Sequence, residues 1–341
     1  MIIVTGGAGF IGSALIAALN NRQITDILVV DQLGTDQKWK NLRNLSFADY
    51  VEKDDFLEMV VENRLDFSTE AVFHLGACSD TTETNASYLI KNNYEYSKLL
   101  AQWATADNIR FIYASSAATY GDGSAGFSDD EEKIDELRPL NMYGYSKHLF
   151  DLWARRAGLL KKPVPSPSTS LRVNSAGGIV GLKYFNVFGP NEYHKGDMRS
   201  FVIRAFEQIK ATGKVRLFKS YRPEFKDGGQ MRDFIYVKDA VDMTLFFYDN
   251  PQTGGLFNIG TAKARTWNDL VKAVFTAMDK KPNIEYIEMP ESIRSQYQYY
   301  TCADITKLRK VGYKQDTTSL EDAVKDYVQN YLQKYGYLTG T

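Results

Sequence analysis

Three side chains have the types and spacing needed to take a proton from an alcohol. Tyr143 and Lys147 lie four residues apart in 141-NMYGYSKHLF-150, so on a helix they share one face. A free phenol has a pKa near ~10, and a lysine ammonium beside it favours the phenolate. In 113-YASSAATYG-121, Ser116 follows a predicted strand and could hydrogen-bond the same oxygen. The three residues predict a site that acts as a general base on a hydroxyl group.

A second lysine, Lys195, is predicted to be another acid/base. It lies in His194-Lys195-Gly196, within 186-NVFGPNEYHKGDMRS-200 and well beyond the Tyr143 motif. One base suffices to oxidise an alcohol, so a second base indicates a further proton-transfer step. From residue type alone, a phosphate contact or a solvated charge is the alternative for Lys195. For His194 we expect an orienting or structural role.

The segment 5-TGGAGFIGS-13 has the glycine spacing of a dinucleotide-binding turn. Gly6, Gly9 and Gly12 follow a predicted strand and open a predicted helix, so the chain can turn tightly and approach a pyrophosphate. Asp31 ends the second predicted strand, where an acidic residue holds an adenosine ribose. The pattern therefore predicts a nicotinamide dinucleotide as cofactor.

The residues leave the choice between NADP and NAD open. Asp31 would accept hydrogen bonds from a free ribose 2′-hydroxyl but would repel a 2′-phosphate. Lys38 and Lys53 could offset that repulsion if they fold over the ribose; otherwise they are solvated surface charges. NADP is the expected cofactor, with NAD as the alternative.

The elements that must position these side chains alternate between strands and helices. Strands are predicted at 2–4, 27–30, 71–75, 111–114, 179–186, 234–237 and 256–259, and helices at 12–20, 88–106 and 146–157. This alternation predicts an α/β fold with a doubly wound parallel sheet of the Rossmann type. We predict a dinucleotide-binding domain at 1–189 and 233–260, and a smaller mixed α/β substrate domain at 190–232 and 261–341. The Pro-, Ser- and Gly-containing segment 161–178 is predicted to be a loop or mobile excursion.

Composition excludes several classes of function. The chain has 341 residues, of which 44% are hydrophobic and 24% charged, as in an ordinary globular protein of two domains. A formal net charge of −1 argues against a nucleic-acid partner held by overall charge. Two cysteines and three histidines offer neither a disulfide framework nor a metal site. No apolar run reaches the ~18 residues of a membrane span, so we expect a soluble, cytoplasmic protein without membrane partners.

Motifs along nearly the whole chain resemble the extended short-chain dehydrogenase/reductase superfamily, whose members oxidise, epimerise or dehydrate nucleotide-linked sugars. They are, in order, TGGAGFIG, YASSAATYG, Tyr143-x-x-x-Lys147, KYFNVFGP and RDFIYVKD. One family within it, the ADP-glyceromanno-heptose 6-epimerases of lipopolysaccharide core biosynthesis, is similar to this chain in HLGACSDTTE, NNYEYSK, YASSAATYG, NMYGYSK and NEYHKG.

The resemblance implies inversion at C6″ of ADP-D-glycero-D-manno-heptose through a transient 6″-ketone, with tightly bound NADP and with Tyr143 and Lys195 as acid/bases. It also implies a homo-oligomer. Expected cofactor contacts are Gly6, Gly9, Phe10, Ile11, Gly12, Asp31, Gln32, Lys38, Lys53, Leu75, Gly76, Ala77, Cys78, Ser79, Asn92, Lys147 and Val187. Expected substrate contacts are Ser116, Asn186, Lys195, Asp197, Arg204, Phe218, Lys219, Ser220, Tyr221, Arg232 and Tyr297. The chain departs from the family pattern at Lys183, where arginine is usual, and at Leu75, which replaces an acidic residue.

The stretch from Lys195 to Arg232 is basic, with ten basic residues against four acidic ones. Such a surplus suits the diphosphate of a nucleotide sugar, although a solvated helix face would account for part of it. Arg232, directly before a predicted strand, is the best single candidate for a pyrophosphate contact.

Other functions stay open. A sugar-nucleotide 4-epimerase turns its whole sugar and needs one tyrosine base. A 4,6-dehydratase would carry an Asp-Glu pair where Ala117 and Ala118 follow Ser116. A regulator that only senses the cofactor would tend to lose Tyr143 or Lys147, and both are present. The sequence therefore favours the 6-epimerase.

Overall fold

The computed structural model describes residues 1–161, 178–294 and 297–340. Its strands are β1 Ile2–Thr5, β2 Ile27–Asp31, β3 Asp49–Glu52, β4 Ala71–His74, β5 Arg110–Ser116, β6 Val180–Tyr184, β7 Asn186–Phe188, β8 Val215–Phe218, β9 Met231–Tyr236, β10 Gly255–Ile259, β11 Ala264–Thr266 and β12 Ile284–Ile287. Apart from its two end residues, the excursion predicted at 161–178 lies outside the described residues.

The main sheet has seven parallel strands in the order β10-β6-β5-β4-β1-β2-β3. β1 lies between β2 and β4, so the chain order reverses at the centre of the sheet, where ligands bind at the carboxyl ends of the strands. Successive side chains point to opposite faces, and every residue of β1, β2, β4, β6 and β10 is buried. Both faces are therefore covered, and the predicted doubly wound α/β fold is confirmed.

The helices connect these strands and extend into the second half of the chain. They are α1 Phe10–Asn21, α2 Lys53–Val61, α3 Ala86–Leu89, α4 Tyr96–Ala106, α5 Met142–Arg156, α6 Phe201–Thr212, α7 Val237–Asp249, α8 Trp267–Ala277, α9 Glu291–Arg294, α10 Thr306–Lys310 and α11 Leu320–Asp326. The helix predicted at 88–106 is divided, because a π-helical segment, Ile90–Glu95, lies between α3 and α4. A second π-helical segment, Tyr327–Leu332, continues α11.

Two strand predictions need correction. The strand predicted at 179–186 is two strands, because β6 ends before Phe185 and β7 begins after it. The Phe185 N–H donates to the Ile259 carbonyl at 3.0 Å. β7 then leaves the main sheet. The strand predicted at 234–237 belongs to β9, which pairs with β7 and β11 in a separate three-stranded sheet. β8 and β12 form a further parallel pair. The domain boundaries stay a prediction.

Candidate active site

A cleft of about 1220 Å³ lies at the carboxyl ends of β1, β4, β5 and β6. Part of its wall is formed by these strand ends, and part by residues between 194 and 218. The fold thus brings together motifs that are far apart in the chain. The predicted site residues that line the cleft are Gly6, Gly9, Phe10, Ile11, Gly12, Asp31, Lys38, Leu75, Gly76, Ala77, Cys78, Ser79, Ser116, Tyr143, Lys147, Asn186, Val187, Lys195, Arg204, Phe218 and Tyr297.

The glycine-rich turn presents bare backbone to the cleft. Gly6 has a φ of +68°, and a Cβ there would lie 2.6 Å from the Gly76 Cα. A Cβ on Gly12 would lie 2.1 Å from the Gly6 carbonyl oxygen, so α1 can approach the turn only without a side chain at this position. The first turn of α1 contains no acidic residue. A bare turn that leads into a helix N-terminus fits the pyrophosphate of a nicotinamide dinucleotide.

Asp31 is held by three donors at the end of β2. Its Oδ2 accepts a hydrogen bond from the N–H of Ala8 at 2.9 Å. Its Oδ1 accepts from the N–H of Gln32 at 2.7 Å and from the Nζ of Lys38 at 2.8 Å. The Lys38 ammonium offsets the carboxylate charge, so this pair repels a ribose 2′-phosphate less than an isolated aspartate would.

Lys53 and Asn92 contact each other outside the lining of the cleft. The Nζ of Lys53 donates to the Oδ1 of Asn92 at 3.0 Å. The next residue, Asn93, accepts from the N–H of Cys78 at 2.8 Å and donates to the Cys78 carbonyl at 2.9 Å. Both asparagines belong to the π-helical segment, a type of turn that is frequent at functional sites. The segment therefore connects the Lys53 pair to the Cys78 edge of the cleft.

The helix that carries Tyr143 begins earlier than predicted. It begins at Met142 rather than at 146, because the Oδ1 of Asn141 caps it by accepting from the Gly144 N–H at 2.8 Å. A Cβ on Gly144 would lie 2.8 Å from the Ala118 carbonyl oxygen. Glycine thus allows the first turn of α5 to pack against the turn that follows β5, and Tyr143 lies on the cleft.

Burial dominates the electrostatics of the Tyr143 site. It raises the pKa of Tyr143, and the Ser116 hydroxyl opposes this only in part. The Nζ of Lys147 donates to the Ala114 carbonyl at 2.9 Å, and burial lowers the pKa of Lys147 to about 8. Among the protein's own groups burial thus outweighs Ser116, and the lowering expected from Lys147 together with an oxidised nicotinamide stays a prediction. The phenolate therefore needs a further cationic group beside it, such as an oxidised nicotinamide.

A buried ion pair behind the strand ends is a feature that the sequence analysis misses. Lys183 on β6 and Asp151 on α5 are both fully buried, with their charged atoms 2.7 Å apart. Asp151 also accepts from the Tyr113 hydroxyl at 2.9 Å and the Ser115 hydroxyl at 2.7 Å, and Lys183 donates to the Thr119 hydroxyl at 2.7 Å. The network ties α5 to β5, β6 and the turn after β5. The unusual lysine at 183 is the one signal of it in the sequence.

Replacing Lys183 with methionine should lower the free energy of unfolding by about 3–5 kcal/mol, because Asp151 would stay buried without its partner charge. Urea unfolding followed by circular dichroism measures this change. The matched control is Lys183→Arg, which keeps the charge and should lose less. A loss of less than about 1 kcal/mol in Lys183→Met would show that the pair does not stabilise the fold.

Lys195 lies against the glycine-rich turn. It belongs to the 3₁₀ turn Tyr193–Met198, and its Nζ lies 5.2 Å from the ring centroid of Phe10, the first residue of α1. Burial lowers the pKa of Lys195, and the negative charge of Glu192 raises it. Asp197 on the same turn is exposed and does not line the cleft. The second predicted base therefore shares the cleft with Tyr143.

Asn41 connects this turn to the glycine-rich turn and is also missed by the sequence analysis. It is buried, and its Nδ2 lies 2.9 Å from the Ala8 carbonyl oxygen, 3.0 Å from the Asn191 carbonyl oxygen and 3.2 Å from the Nδ1 of His194. Burial lowers the pKa of His194 to about 4, so this imidazole is neutral near pH 7. These contacts are those of a residue with a structural role beside Lys195.

Arg232 is buried at the edge of the cleft. Its guanidinium lies 5.7 Å from the ring centroid of Trp267 and 5.3 Å from that of Tyr297, and both rings line the cleft. It donates to the backbone carbonyls of Met231 at 2.8 Å and Gln298 at 2.5 Å. The pyrophosphate contact predicted for Arg232 stays a prediction.

Part of the predicted basic surplus is paired at the surface. The Nζ of Lys219 lies 2.7 Å from Glu288, which the Tyr221 hydroxyl also contacts. The N–H of Ser220 donates to the Oδ1 of Asp227 at 2.8 Å. Residues 219–221 thus lie beside the cleft, next to Phe218, and are not among its lining residues.

Two features of other classes of protein are absent from the described residues. In the described part of the chain, no group of three or more His, Cys, Asp or Glu side chains could hold a metal ion. Over the same residues, no helix combines the length and the apolar character needed to span a bilayer.

Comparison with known proteins identifies the family. The model of the NAD dependent epimerase/dehydratase family matches residues 2–260, and the chain belongs to this family. An ADP-L-glycero-D-manno-heptose-6-epimerase of Nitratidesulfovibrio vulgaris (strain DP4) is 55% identical over 97% of this chain and 98% of its own. One of Fusobacterium nucleatum is 48% identical over 98% of both chains. Within the superfamily, the chain is thus a member of the ADP-L-glycero-D-manno-heptose-6-epimerase family, which confirms the resemblance found in the sequence.

A solved structure agrees with this assignment. The crystal structure of the Helicobacter pylori ADP-L-glycero-D-manno-heptose-6-epimerase superposes with a TM-score of 0.77 at 28% identity, over 96% of this chain and 95% of that one. The superposed part of the chain includes most of the residues after 260, which the family model does not match.

Proposed function

We propose that this protein interconverts ADP-D-glycero-D-manno-heptose and ADP-L-glycero-D-manno-heptose by inverting C6″. The observation that carries the proposal is that Tyr143 and Lys195, two candidate acid/bases from distant motifs, line one cleft beside a dinucleotide-binding turn. Relatives at 55% and 48% identity over nearly their full lengths bear the name of this activity.

The stereochemistry explains why two acid/bases are useful. Inverting an unactivated secondary alcohol without breaking its C–O bond requires removing the C6″ hydrogen as hydride and returning it to the opposite face. A bound nicotinamide supplies the reversible hydride acceptor, so no added oxidant is consumed. C6″ is exocyclic, and a half-turn about C5″–C6″ presents the other face of the ketone. That rotation moves the oxygen away from its first proton acceptor, so a second residue must then donate a proton to it.

Tyr143 and Lys195 are proposed to exchange protons with the C6″ oxygen in its two orientations. Ser116 lies beside the Tyr143 hydroxyl and would orient the same oxygen. Lys147, anchored on the Ala114 carbonyl, would supply positive charge near the cofactor and the phenol. Lys195, held over the Phe10 ring, would meet the oxygen after rotation.

The proposed cofactor is NADP, with NAD as the alternative. The ion pair of Asp31 with Lys38 reduces the negative charge at the ribose site. Lys53 follows Glu52, the β3 residue paired with Asp31, and would add a second cation if it left Asn92. Denaturing the purified protein and identifying the released nucleotide by chromatography tests this choice. Release of NAD alone would contradict NADP and would leave the proposed reaction standing.

The remaining cleft is proposed to bind the ADP-sugar. Asn186, Arg204, Phe218 and Tyr297, which are expected substrate contacts, line this part of the cleft. The Arg232 guanidinium lies 5.3 Å from the centroid of the Tyr297 ring and would add positive charge beside the bound diphosphate. Residues 197 and 219–221 would contact substrate only if this part of the surface rearranges. From the family resemblance we also propose a cytoplasmic homo-oligomer, which size-exclusion chromatography with light scattering would detect.

The deciding experiment is NMR of ADP-D-glycero-D-manno-heptose before and after incubation with the protein, without added cofactor. Signals of the L epimer should appear until the two epimers reach equilibrium. UDP-galactose, incubated in parallel, distinguishes the 4-epimerase alternative. Turnover of UDP-galactose without turnover of the ADP-heptose would overturn the proposed function.

A further inference from the structure

Glu192 is a buried carboxylate to which the proposed reaction gives no role. It is fully buried and lies three residues before Lys195. Its Oε1 accepts from the Ser200 hydroxyl at 2.6 Å and from the Gly189 N–H at 3.4 Å, and its Oε2 accepts from the Ser200 N–H. One side chain thus connects the two ends of the 189–200 segment that carries Lys195.

A backbone hydrogen bond holds Lys195 within the same 189–200 segment. The Lys195 N–H donates to the Glu192 carbonyl at 3.1 Å. The segment is also held from outside, because the Asn191 Nδ2 donates to the Ser13 hydroxyl at 3.0 Å and its Oδ1 accepts from the Leu338 N–H at 2.9 Å. Packed structure on both sides therefore holds the Lys195 backbone in a fixed place relative to the Glu192 carboxylate.

Neighbouring side chains of Glu192 and Lys195 are uncharged near pH 7. Tyr193 and Tyr327 lie near Glu192, and burial raises both phenol pKa values, so these hydroxyls are neutral near pH 7. His194 is neutral as well, and α1 presents the uncharged Phe10 ring to Lys195. Burial raises the pKa of Glu192 and lowers the pKa of Lys195, and the charge of each partner opposes the shift of the other in part.

We propose that Glu192 is a positioning residue for Lys195: its carboxylate holds the 189–200 segment against the cleft and keeps the buried amine in its protonated, proton-donating form. The proposal rests on the proposed function for the use of that proton. In the reducing half of the reaction, the ammonium gives its proton to the C6″ oxygen as hydride adds to the carbon. The residue that took the substrate hydroxyl proton then releases it to solvent and the amine takes one up from solvent, so both groups return to their starting forms and the cycle balances.

The test is competitive labelling of lysine amines with acetic anhydride as a function of pH, read by mass spectrometry of the peptide that contains Lys195. Only the neutral amine reacts. In Glu192→Gln, the loss of the negative charge should move the Lys195 labelling midpoint to lower pH and reduce kcat about tenfold at neutral pH. Ser200→Ala removes a hydrogen bond but keeps the charge, so its midpoint should stay near that of the wild type. Lys147, labelled in the same samples, is the internal control and should not move.

Glu192→Gln must be folded by circular dichroism for this comparison. If it does not fold, the pair can be tested from the other side in Lys195→Met. There, carboxyl ¹³C NMR should show the Glu192 titration midpoint raised relative to the wild type, with the resonance assigned by Glu192→Asp. An unchanged Lys195 midpoint in folded Glu192→Gln, or an unchanged Glu192 midpoint in Lys195→Met, would overturn the proposal. Neither readout needs turnover, so absence of epimerase activity would count against the proposed function alone.

Discussion

Replacing Tyr143 with phenylalanine should lower kcat for epimerisation by about 10²–10⁴-fold, the range of a lost acid/base. The change removes one oxygen atom from a side chain that lies on the cleft beside Ser116. Lys147 would keep its hydrogen bond to the Ala114 carbonyl, and Ser116 would keep the 3.1 Å contact of its hydroxyl with the Ala118 N–H. The fold and the retained cofactor should therefore be unchanged. Initial rates by NMR and the nucleotide content of the purified variant measure both expectations.

Tyr145→Phe is the matched control for this variant. Tyr145 lies on the same helix two residues later, but the residue is 45% exposed. Its loss of a hydroxyl should leave kcat within about twofold of the wild type, as for surface changes remote from a site. If both variants have wild-type rates, Tyr143 is not an acid/base. If Tyr143→Phe loses its cofactor, the fall in kcat would instead reflect weaker binding of the cofactor.

The sheet and the cofactor turn are the parts of the molecule that the sequence predicts well. The strand predictions around Gly6 and Asp31 succeed because buried parallel strands are continuous apolar runs that end in a glycine turn or an acidic residue. The prediction for 234–237 succeeds as a strand and fails as a member of the main sheet. An apolar run shows that a strand is buried, but does not show which strand it pairs with.

The helix that carries Tyr143 shows a different limit. Its apolar periodicity is clear only from Ser146 onward, and its true beginning depends on a cap by Asn141 and close packing at Gly144. Both signals are present in 141-NMYG-144, where an N-cap asparagine precedes the helix. Recognising that cap would have placed Tyr143 inside the first turn from the sequence alone.

The contacts that hold the site together are those that the sequence conceals. Asp151 and Lys183 are separated by the whole 161–178 segment, yet their charged atoms lie 2.7 Å apart. Asn41 contacts Asn191, which lies 150 residues later in the chain. Neither pairing has a local pattern, because both depend on how the strand order brings distant segments together. Motifs therefore identified the candidate acid/bases, whereas the structure was needed to find the residues that position them.

Replacing Lys195 with methionine should also lower kcat by about 10²–10⁴-fold, and it separates the two interpretations of this lysine. Methionine preserves most of the apolar stem that packs over Phe10 but removes the ammonium. If Lys195 is an acid/base at C6″, kcat falls while the affinity for ADP, which lacks the heptose, stays unchanged. If Lys195 is a phosphate contact, the affinity for ADP weakens and kcat at saturating substrate changes little. Calorimetry with ADP and NMR rates with the ADP-heptose measure the two quantities.

Lys272→Met is the control, because Lys272 is exposed on α8 and does not line the cleft. It should change neither ADP affinity nor kcat. A wild-type rate in Lys195→Met would exclude the lysine from the reaction and leave Tyr143 as the single base. Such a result would agree with a sugar that turns as a whole in the cleft, as in a 4-epimerase. The combination we expect, a lost rate with unchanged ADP affinity and retained cofactor, fits the rotation of an exocyclic carbon between two proton donors.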